Sequence, residues 1–124
     1  MLGEIFGEIE TTVQAPPNTT PLFRLADVMP DFAEEVHRLL VEIGESALAG
    51  QVPHLWIYDR CPCGGCATMY VQPRPENGFG PTHRGMTLDS EKDAIYIDVA
   101  GGKLACLEVL DRTEMTEWLV ASLP

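Results

Sequence analysis

Hydrophobic residues recur at helical spacing most clearly between residues 31 and 50. The apolar stripe consists of Phe32, Val36, Leu39, Leu40, Ile43 and Ala47. Spacing of three and four residues is typical of a helix with one buried face. Pro30 precedes the segment, and Asp31 followed by Glu34 has the spacing of a capping box. Since Gly50 is of a type that commonly ends helices, the pattern predicts a main helix over residues 31–50.

A different pattern, typical of β-structure, occupies the stretch from Val52 to Val71. Two apolar runs rich in Val, Ile, Tyr and Trp flank a six-residue corner at residues 61–66. These residue types favour a pleated, half-buried surface, whereas the proline and the two glycines of the corner favour a turn. The stretch therefore predicts a β-hairpin.

A second hairpin is predicted farther along the chain. Ile95, Ile97 and Val99 alternate with Tyr96 and Asp98, which indicates a strand with one face in the core. The Ala-Gly-Gly sequence that follows is suited to a tight turn, and the apolar run after it returns as the partner strand.

The remaining segments are shorter or richer in proline and glycine. Residues 1–14 fit a short N-terminal helix, and residues 15–30 read as a Pro-rich connector. Residues 72–85 predict a long loop, which in a compact domain is usually either functional or mobile. Residues 111–123 predict a C-terminal helix.

These elements together predict an α+β fold. We expect an antiparallel β-meander of about four to five strands over residues 52–110, with two or three helices packed on one face. The length of 124 residues suits a single domain, 1–124. The predicted core consists of Val36, Leu40, Ile43, Trp56, Ile95, Ile97, Leu107, Trp118 and Leu119.

The second hairpin also resembles a known one. Residues 89–97 read D-S-E-K-D-A-I-Y-I, and residues 102–111 read G-K-L-A-C-L-E-V-L-D. This is similar to the D-x-E-x-D-A-x-Y-I hairpin of a small bacterial family of unknown function. The matching positions are Asp89, Glu91, Asp93, Ala94, Tyr96, Ile97, Glu108 and Leu110. The resemblance implies the placement of these strands in a small bacterial-type protein, and it implies no activity.

The charge of the chain narrows the choice of partner. The net charge is −11, with 19 acidic and eight basic residues. Residues 51–88 hold two acidic and three basic residues, so the acidic excess lies in the two flanking segments. Nucleic acids and anionic membranes bind proteins through clusters of Lys and Arg, which this chain lacks, so neither is an expected partner. The charge instead favours a basic protein partner.

The cellular compartment bears on the chemistry of the cysteines. No apolar run approaches the roughly 20 residues that cross a bilayer, and the first ten residues lack the pattern of a signal peptide. We therefore expect a cytoplasmic protein. Since thiols stay reduced there, metal binding or simple burial is favoured over disulfide formation.

The corner of the first hairpin carries the only motif that indicates chemistry. Cys61, Cys63 and Cys66 form a C-x-C-x-x-C pattern with a proline and two glycines inside it. Three thiolates that converge from a tight turn are typical zinc ligands, and a structural zinc site needs four. Two other interpretations stay open, namely unliganded cysteines buried at a turn, and a redox pair or other metal at Cys63 and Cys66.

The fourth zinc ligand must come from elsewhere in the chain. Cys106 is the first candidate because it lies on a predicted strand of the same sheet. His83, on the long loop, is the second candidate, and His54 is less favoured. The predicted metal ligands are therefore Cys61, Cys63, Cys66 and Cys106, and the predicted cofactor is zinc.

The sequence contains no motif that predicts catalysis. It lacks a phosphate-binding glycine loop, a dinucleotide fingerprint and the H-E-x-x-H pattern. We therefore expect a small acidic binding protein with no enzymatic activity and no catalytic residues. Two alternatives are an acidic inhibitor or immunity-type protein that masks a basic enzyme, and a thiol redox protein that uses Cys63 and Cys66.

Overall fold

The structure is a computed structural model that describes residues 19–63, 65–75, 78–91 and 93–123. The helices are α1 (Leu25–Val28), α2 (Pro30–Glu42), α3 (Ser46–Ala49) and α4 (Thr113–Ser122), and Val52–His54 forms a 3-10 turn. The strands are β1 (Phe23–Arg24), β2 (Trp56–Ile57), β3 (Asp59–Arg60), β4 (Ala67–Tyr70), β5 (Arg84–Asp89), β6 (Ala94–Ala100) and β7 (Lys103–Val109). The N-terminal helix predicted for residues 1–14 lies outside the described residues, and the described part of the connector contains β1 and α1.

The main sheet has five strands in the order β3-β4-β7-β6-β5, and every neighbouring pair is antiparallel. Strands β1 and β2 form a separate two-stranded sheet. The predicted α+β class with antiparallel strands is confirmed. Strands β5, β6 and β7 follow one another as a meander, but β4 lies beside β7 instead of β5. This arrangement of four strands is a Greek key.

The strand order explains why the loop after β4 is long. The chain leaves β4 and must reach β5 at the far edge of the sheet, past both β7 and β6. Three strand spacings amount to about 14 Å, which a tight hairpin turn cannot span. The described residues of this connection are 71–75 and 78–83, and their prolines and glycines suit an irregular path.

The segment predicted as one helix, residues 31–50, instead forms two helices with a turn between them, α2, which begins at Pro30, and α3. At the end of α2, Gly44 adopts a φ of 85°, a conformation that side-chain-bearing residues rarely adopt. Its N–H donates to the Val41 carbonyl at 3.0 Å, and the Glu45 N–H donates to the Leu40 carbonyl at 2.9 Å. These two bonds form a Schellman motif, which ends α2 at Glu42, eight residues before the predicted stop at Gly50.

Most of the predicted core is buried. The buried members are Val36, Leu40, Ile95, Ile97, Leu107 and Leu119. Trp118 is partly buried and packs edge-on against Phe23, with their ring centroids 5.2 Å apart.

The prediction of burial is wrong for two residues. Ile43 is 56 % exposed because it follows the last residue of α2 and lies in the turn before Gly44. Trp56 is 40 % exposed because alternation along β2 turns the next residue, Ile57, into the core instead. The guanidinium of Arg24 lies 5.7 Å from the centre of the Trp56 ring and covers part of this surface.

An ion-pair cluster around Arg112 connects three parts of the chain. Its guanidinium donates to both carboxylate oxygens of Glu35 on α2, at 2.7 and 2.9 Å. It also donates to Asp93, in the turn between β5 and β6, at 2.8 Å. The Ser90 hydroxyl donates to Glu35, and the Phe32 ring lies against the guanidinium, 5.4 Å from its centre. The two carboxylates raise the pKa of Arg112, so the residue stays charged.

The core assignment can be tested with a pair of substitutions on and just after α2. Leu40→Ala should lower the free energy of unfolding by about 2–5 kcal/mol because it leaves a cavity in the core. Ile43→Ala should change it by about 0.5 kcal/mol or less, since this side chain is largely exposed. Chemical denaturation monitored by circular dichroism measures both values. Equal effects of the two substitutions would contradict the assignment.

The Arg112 cluster should contribute far more to stability than an exposed ion pair does. Arg112→Leu should cost about 3–5 kcal/mol because it removes the guanidinium from the carboxylates of Glu35 and Asp93 at a site where only 11 % of the arginine side chain is exposed. The matched control is Arg38→Leu, which removes the exposed pair of Arg38 with Glu42 at 2.9 Å and should cost less than about 1 kcal/mol. Thermal and chemical denaturation give the comparison, and a loss as small as that of the control would show that the cluster is not structural.

Candidate metal centre

The hairpin of β3 and β4 holds three of the four cysteines in its turn. Arg60 pairs with Met69, and the N–H of Cys61 donates to the Thr68 carbonyl at 3.1 Å, one step beyond the last strand pair. The chain therefore remains paired as far as Cys61, and the turn lies between this residue and the start of β4. This confirms the predicted hairpin and places the cysteines at its closed end.

The start of the turn is anchored to the C-terminal helix. The Arg60 guanidinium donates from Nε to the Leu123 carbonyl at 3.0 Å and from Nη1 to the Cys61 carbonyl at 3.1 Å. One side chain thus joins the end of β3, the first cysteine and the residue after α4. The position of Cys61 is consequently determined by tertiary contacts as well as by the turn.

The three sulfur atoms of the turn form a compact group. The sulfurs of Cys61, Cys63 and Cys66 all lie within 4.8 Å of one another, and those of Cys63 and Cys66 are 3.3 Å apart. Cys63 is exposed, whereas Cys61 and Cys66 are partly buried. The group can hold a metal ion, and we name it the cysteine cluster.

The environment of Cys63 favours its thiolate form. The backbone N–H of Gly65 donates to the Cys63 sulfur at 3.3 Å, and this bond stabilises a negative charge there. Hydrogen bonds from the Cys61 and Cys66 side chains act in the same direction. Together they lower the pKa of Cys63 to about 7 from an ordinary value of 9.0. A substantial fraction of Cys63 is therefore thiolate at neutral pH.

The environment of Cys66 has the opposite effect. Burial of this thiol is the main reason that its pKa rises to about 11. The hydroxyl of Thr68 lies 3.1 Å from the sulfur and orients it. In the metal-free protein Cys66 is consequently protonated, and a proton can be shared between it and Cys63 across their 3.3 Å contact. A bound metal ion would displace this proton.

The structure does not bring Cys106, the predicted fourth ligand, into the cysteine cluster. Cys106 pairs with Tyr70, whereas Cys66 precedes Ala67 at the other end of β4. Four residues of strand amount to about 13 Å. Cys106 is buried, and this burial, together with the nearby carboxylates of Asp98 and Glu108, raises the pKa of its thiol far above the ordinary value.

The two histidines considered as further ligands also have other surroundings. The Nε2 atom of His83 lies 2.7 Å from Asp98 Oδ1, and its ring stacks on Phe79 at 5.2 Å between centroids. His54 is exposed at the end of the 3-10 turn. Within the part of the chain that the structure describes, the cysteine cluster contains no fourth Cys, His, Asp or Glu ligand.

A second feature, the groove beside Arg112, could not be predicted from the sequence. Its residues come from α2, from the turn between β5 and β6 and from the start of α4, so they are far apart in the chain. The only local signal was the acidic character of each segment, which is also typical of ordinary solvated surface. The groove becomes apparent only when these three elements are seen together.

The thiol chemistry of the cysteine cluster can be tested by alkylation of the metal-free protein. Cys63 should react with iodoacetamide first, with a rate midpoint near its pKa of about 7, because the thiolate is the nucleophile. Cys66 should react appreciably only at much higher pH, and the buried Cys106 should react only after unfolding. Peptide mass spectrometry at timed intervals distinguishes the sites. A Cys63 midpoint at the ordinary value of 9.0 would contradict the hydrogen bonding described for the turn.

Comparison with known proteins identified no relative of this chain. No family model, no curated protein and no solved structure matched it. Within the described residues, no helix has the length and apolar character that a membrane span requires. A functional conclusion must therefore come from the geometry and charge of the chain itself.

Proposed function

We propose that the protein binds zinc through Cys61, Cys63 and Cys66 and acts by binding a protein partner, without enzymatic activity. The main support for the metal site is that three sulfur atoms of one short turn lie within 4.8 Å of one another. Thiolates that converge in this way are a donor set typical of zinc sites.

The donor set and its spacing favour zinc among the metals of proteins. Thiolates are soft ligands that suit Zn²⁺, whereas Mg²⁺ and Ca²⁺ prefer oxygen. With Zn–S bonds of about 2.3 Å, sulfurs around a tetrahedral ion lie about 3.8 Å apart. The 3.3 Å between Cys63 and Cys66 and the 4.8 Å limit for the group bracket this value, so side-chain rotations suffice to reach it.

The position of the cysteine cluster supports a structural role. A metal ion there would link both ends of the turn and hold the hairpin of β3 and β4 closed. The Thr68 hydroxyl beside Cys66 would orient one ligand from the second coordination shell. In this proposal the fourth position is taken by water or by a group from a partner, because Cys106, on β7, lies opposite Tyr70 at the far end of β4 and cannot reach it.

The charge of the chain supports the protein-binding part of the proposal. A net charge of −11 attracts a basic partner and repels nucleic acids and anionic membranes. An inhibitor or immunity-type protein that masks a basic enzyme is one form that such a role can take. The attraction weakens as salt increases, because mobile ions screen exposed charges.

A second candidate function, thiol-disulfide exchange, is favoured by the 3.3 Å contact between Cys63 and Cys66. In this reaction Cys63 thiolate attacks one sulfur of a substrate disulfide and releases the other as a thiolate. Cys66 thiolate then attacks the mixed disulfide, so a Cys63–Cys66 disulfide forms and the substrate leaves with two thiols. However, a strand follows the turn here, whereas thioredoxin-like sites place the first cysteine at a helix N-terminus.

Metal analysis of the purified protein separates the two candidates. The zinc proposal expects equimolar zinc and a melting temperature that a chelator lowers. Cys63→Ser should weaken zinc binding by a factor of about 100 or more, since even the loss of a side chain that only hydrogen-bonds to a metal ligand costs about 10–100-fold. Cys106→Ser is the matched control and should retain equimolar zinc.

Other results would contradict the zinc site. Metal-free protein with a melting temperature insensitive to chelator would exclude it as a structural element. If such protein also formed a reversible disulfide between Cys63 and Cys66, the redox candidate would replace it. If its four thiols stayed reduced under mild oxidation, the cluster would be a tight turn without either function.

A further inference from the structure

A groove lies on the side of the molecule that carries the Arg112 cluster. It runs between α2, the turn at Ser90 and Glu91, and the first residues of α4, and its volume is about 1160 Å³. Pockets for small molecules usually measure about 300–1,000 Å³. The groove is therefore large enough to accept a segment of another chain.

Apolar side chains line part of this groove. Met29 and Met115 are partly buried at its two sides, and Phe32 lies beneath with its ring against Arg112. Val41, on the second half of α2, is 49 % exposed. Methionine side chains adapt to differently shaped apolar partners, which suits a binding surface. These side chains together form an apolar strip along the groove, and part of the strip is exposed to solvent in the described structure.

Acidic side chains surround the apolar strip. Apart from Glu42, which pairs with Arg38, the exposed ones are Asp31, Glu34, Glu91, Asp111 and Glu114. Each lacks an ion pair with any other residue that the structure describes. The two arginines of the groove are already engaged, Arg38 with Glu42 and Arg112 with Glu35. The charge that the groove presents to a ligand is consequently negative.

We propose that this groove binds a basic, amphipathic peptide segment of a partner protein. Apolar side chains on one face of the segment would pack on the strip around Val41 and Met115, and Lys or Arg on its flanks would pair with the carboxylates. An amphipathic helix that lies in an apolar groove is a common mode of peptide recognition. This inference rests on the protein-binding part of the proposed function and is independent of the zinc site.

Charge complementarity distinguishes this occupant from the alternatives. A second copy of the chain carries a net charge of −11 and would bring like charges to the acidic rim. Nucleic acids and anionic lipids would be repelled for the same reason. A basic segment gains from both the apolar strip and the carboxylates, and electrostatic attraction also accelerates its association.

The test uses the full-length protein and a fluorescent peptide of about 16 residues, with Leu at helical spacing and Lys on the other faces. Fluorescence anisotropy measures the dissociation constant at low and high salt. A scrambled peptide of the same composition has the same charge but no apolar face, so it controls for nonspecific attraction. Sedimentation of the protein alone monitors self-association.

Two pairs of matched variants locate the binding site. Glu114→Lys changes the groove, and Glu117→Lys places the same change on the exposed part of α4 outside it. Val41→Lys changes the apolar strip, and Val120→Lys is its control at a similar exposure of 45 %. The groove variants should weaken binding about three- to tenfold, and the controls should change it less than about twofold. Circular dichroism and melting temperature confirm that each variant is folded.

The peptide-binding and sedimentation measurements have four informative outcomes. Binding that is salt-sensitive, prefers the amphipathic peptide and is weakened only by the groove variants supports the proposal. Binding that all four variants weaken equally would overturn the groove but leave a basic partner in place. If the peptide did not bind even at low salt, both the groove and the basic protein partner would be excluded. The zinc site would be unaffected by this result, because metal analysis tests it separately. Self-association that Val41→Lys abolishes would assign the groove to a second copy of the chain.

Discussion

The central position of strand β7 is the constraint on which the rest of the fold depends. It pairs with β4 along one edge and with β6 along the other. Consecutive residues Leu104 to Leu107 are buried, so the strand is covered on both faces. Because side chains alternate between faces, a slip of one residue would exchange the two sets of contacts and is strongly disfavoured. The pairing with β4 therefore also determines where the cysteine hairpin lies.

The Arg112 cluster has a comparable effect on the other part of the molecule. Its guanidinium holds α2 against the turn between β5 and β6 and against the start of α4. Five donors in a planar arrangement allow one arginine to satisfy two carboxylates, which a lysine could not do as well. The cluster thus brings three acidic segments together despite their mutual repulsion, and the acidic groove is a direct consequence.

The proposed metal site and the proposed peptide groove depend on different elements. The cysteine cluster lies in the turn between β3, at one edge of the sheet, and β4. The groove lies beside the turn that joins β5, at the opposite edge, to β6. A protein that binds zinc for stability and a partner for function requires no direct contact between these sites. Substitutions in one are therefore expected to leave the other intact.

The local elements of this protein could be predicted from its sequence. The stripe from Phe32 to Leu40 predicted a helix with one buried face, and the residue types of 61–66 predicted the turn that gathers three cysteines. Alternation in 95–99 placed one face of β6 in the core. These features depend on interactions between residues close in the chain, which the hydrophobic pattern and the turn residues express directly.

Only the tertiary structure decided how these elements combine. The position of β4 beside β7 placed Cys106 opposite Tyr70, outside the cysteine cluster, although its strand belongs to the same sheet. Strand β2 turned Ile57 into the core and left Trp56 exposed, and the groove followed from the contacts of Arg112 with Glu35 and Asp93. The physical reason is the same in each case. Pairing between distant segments depends on the free energy of the whole packed core. The spacing of residues within one segment does not show which distant segment it will pair with.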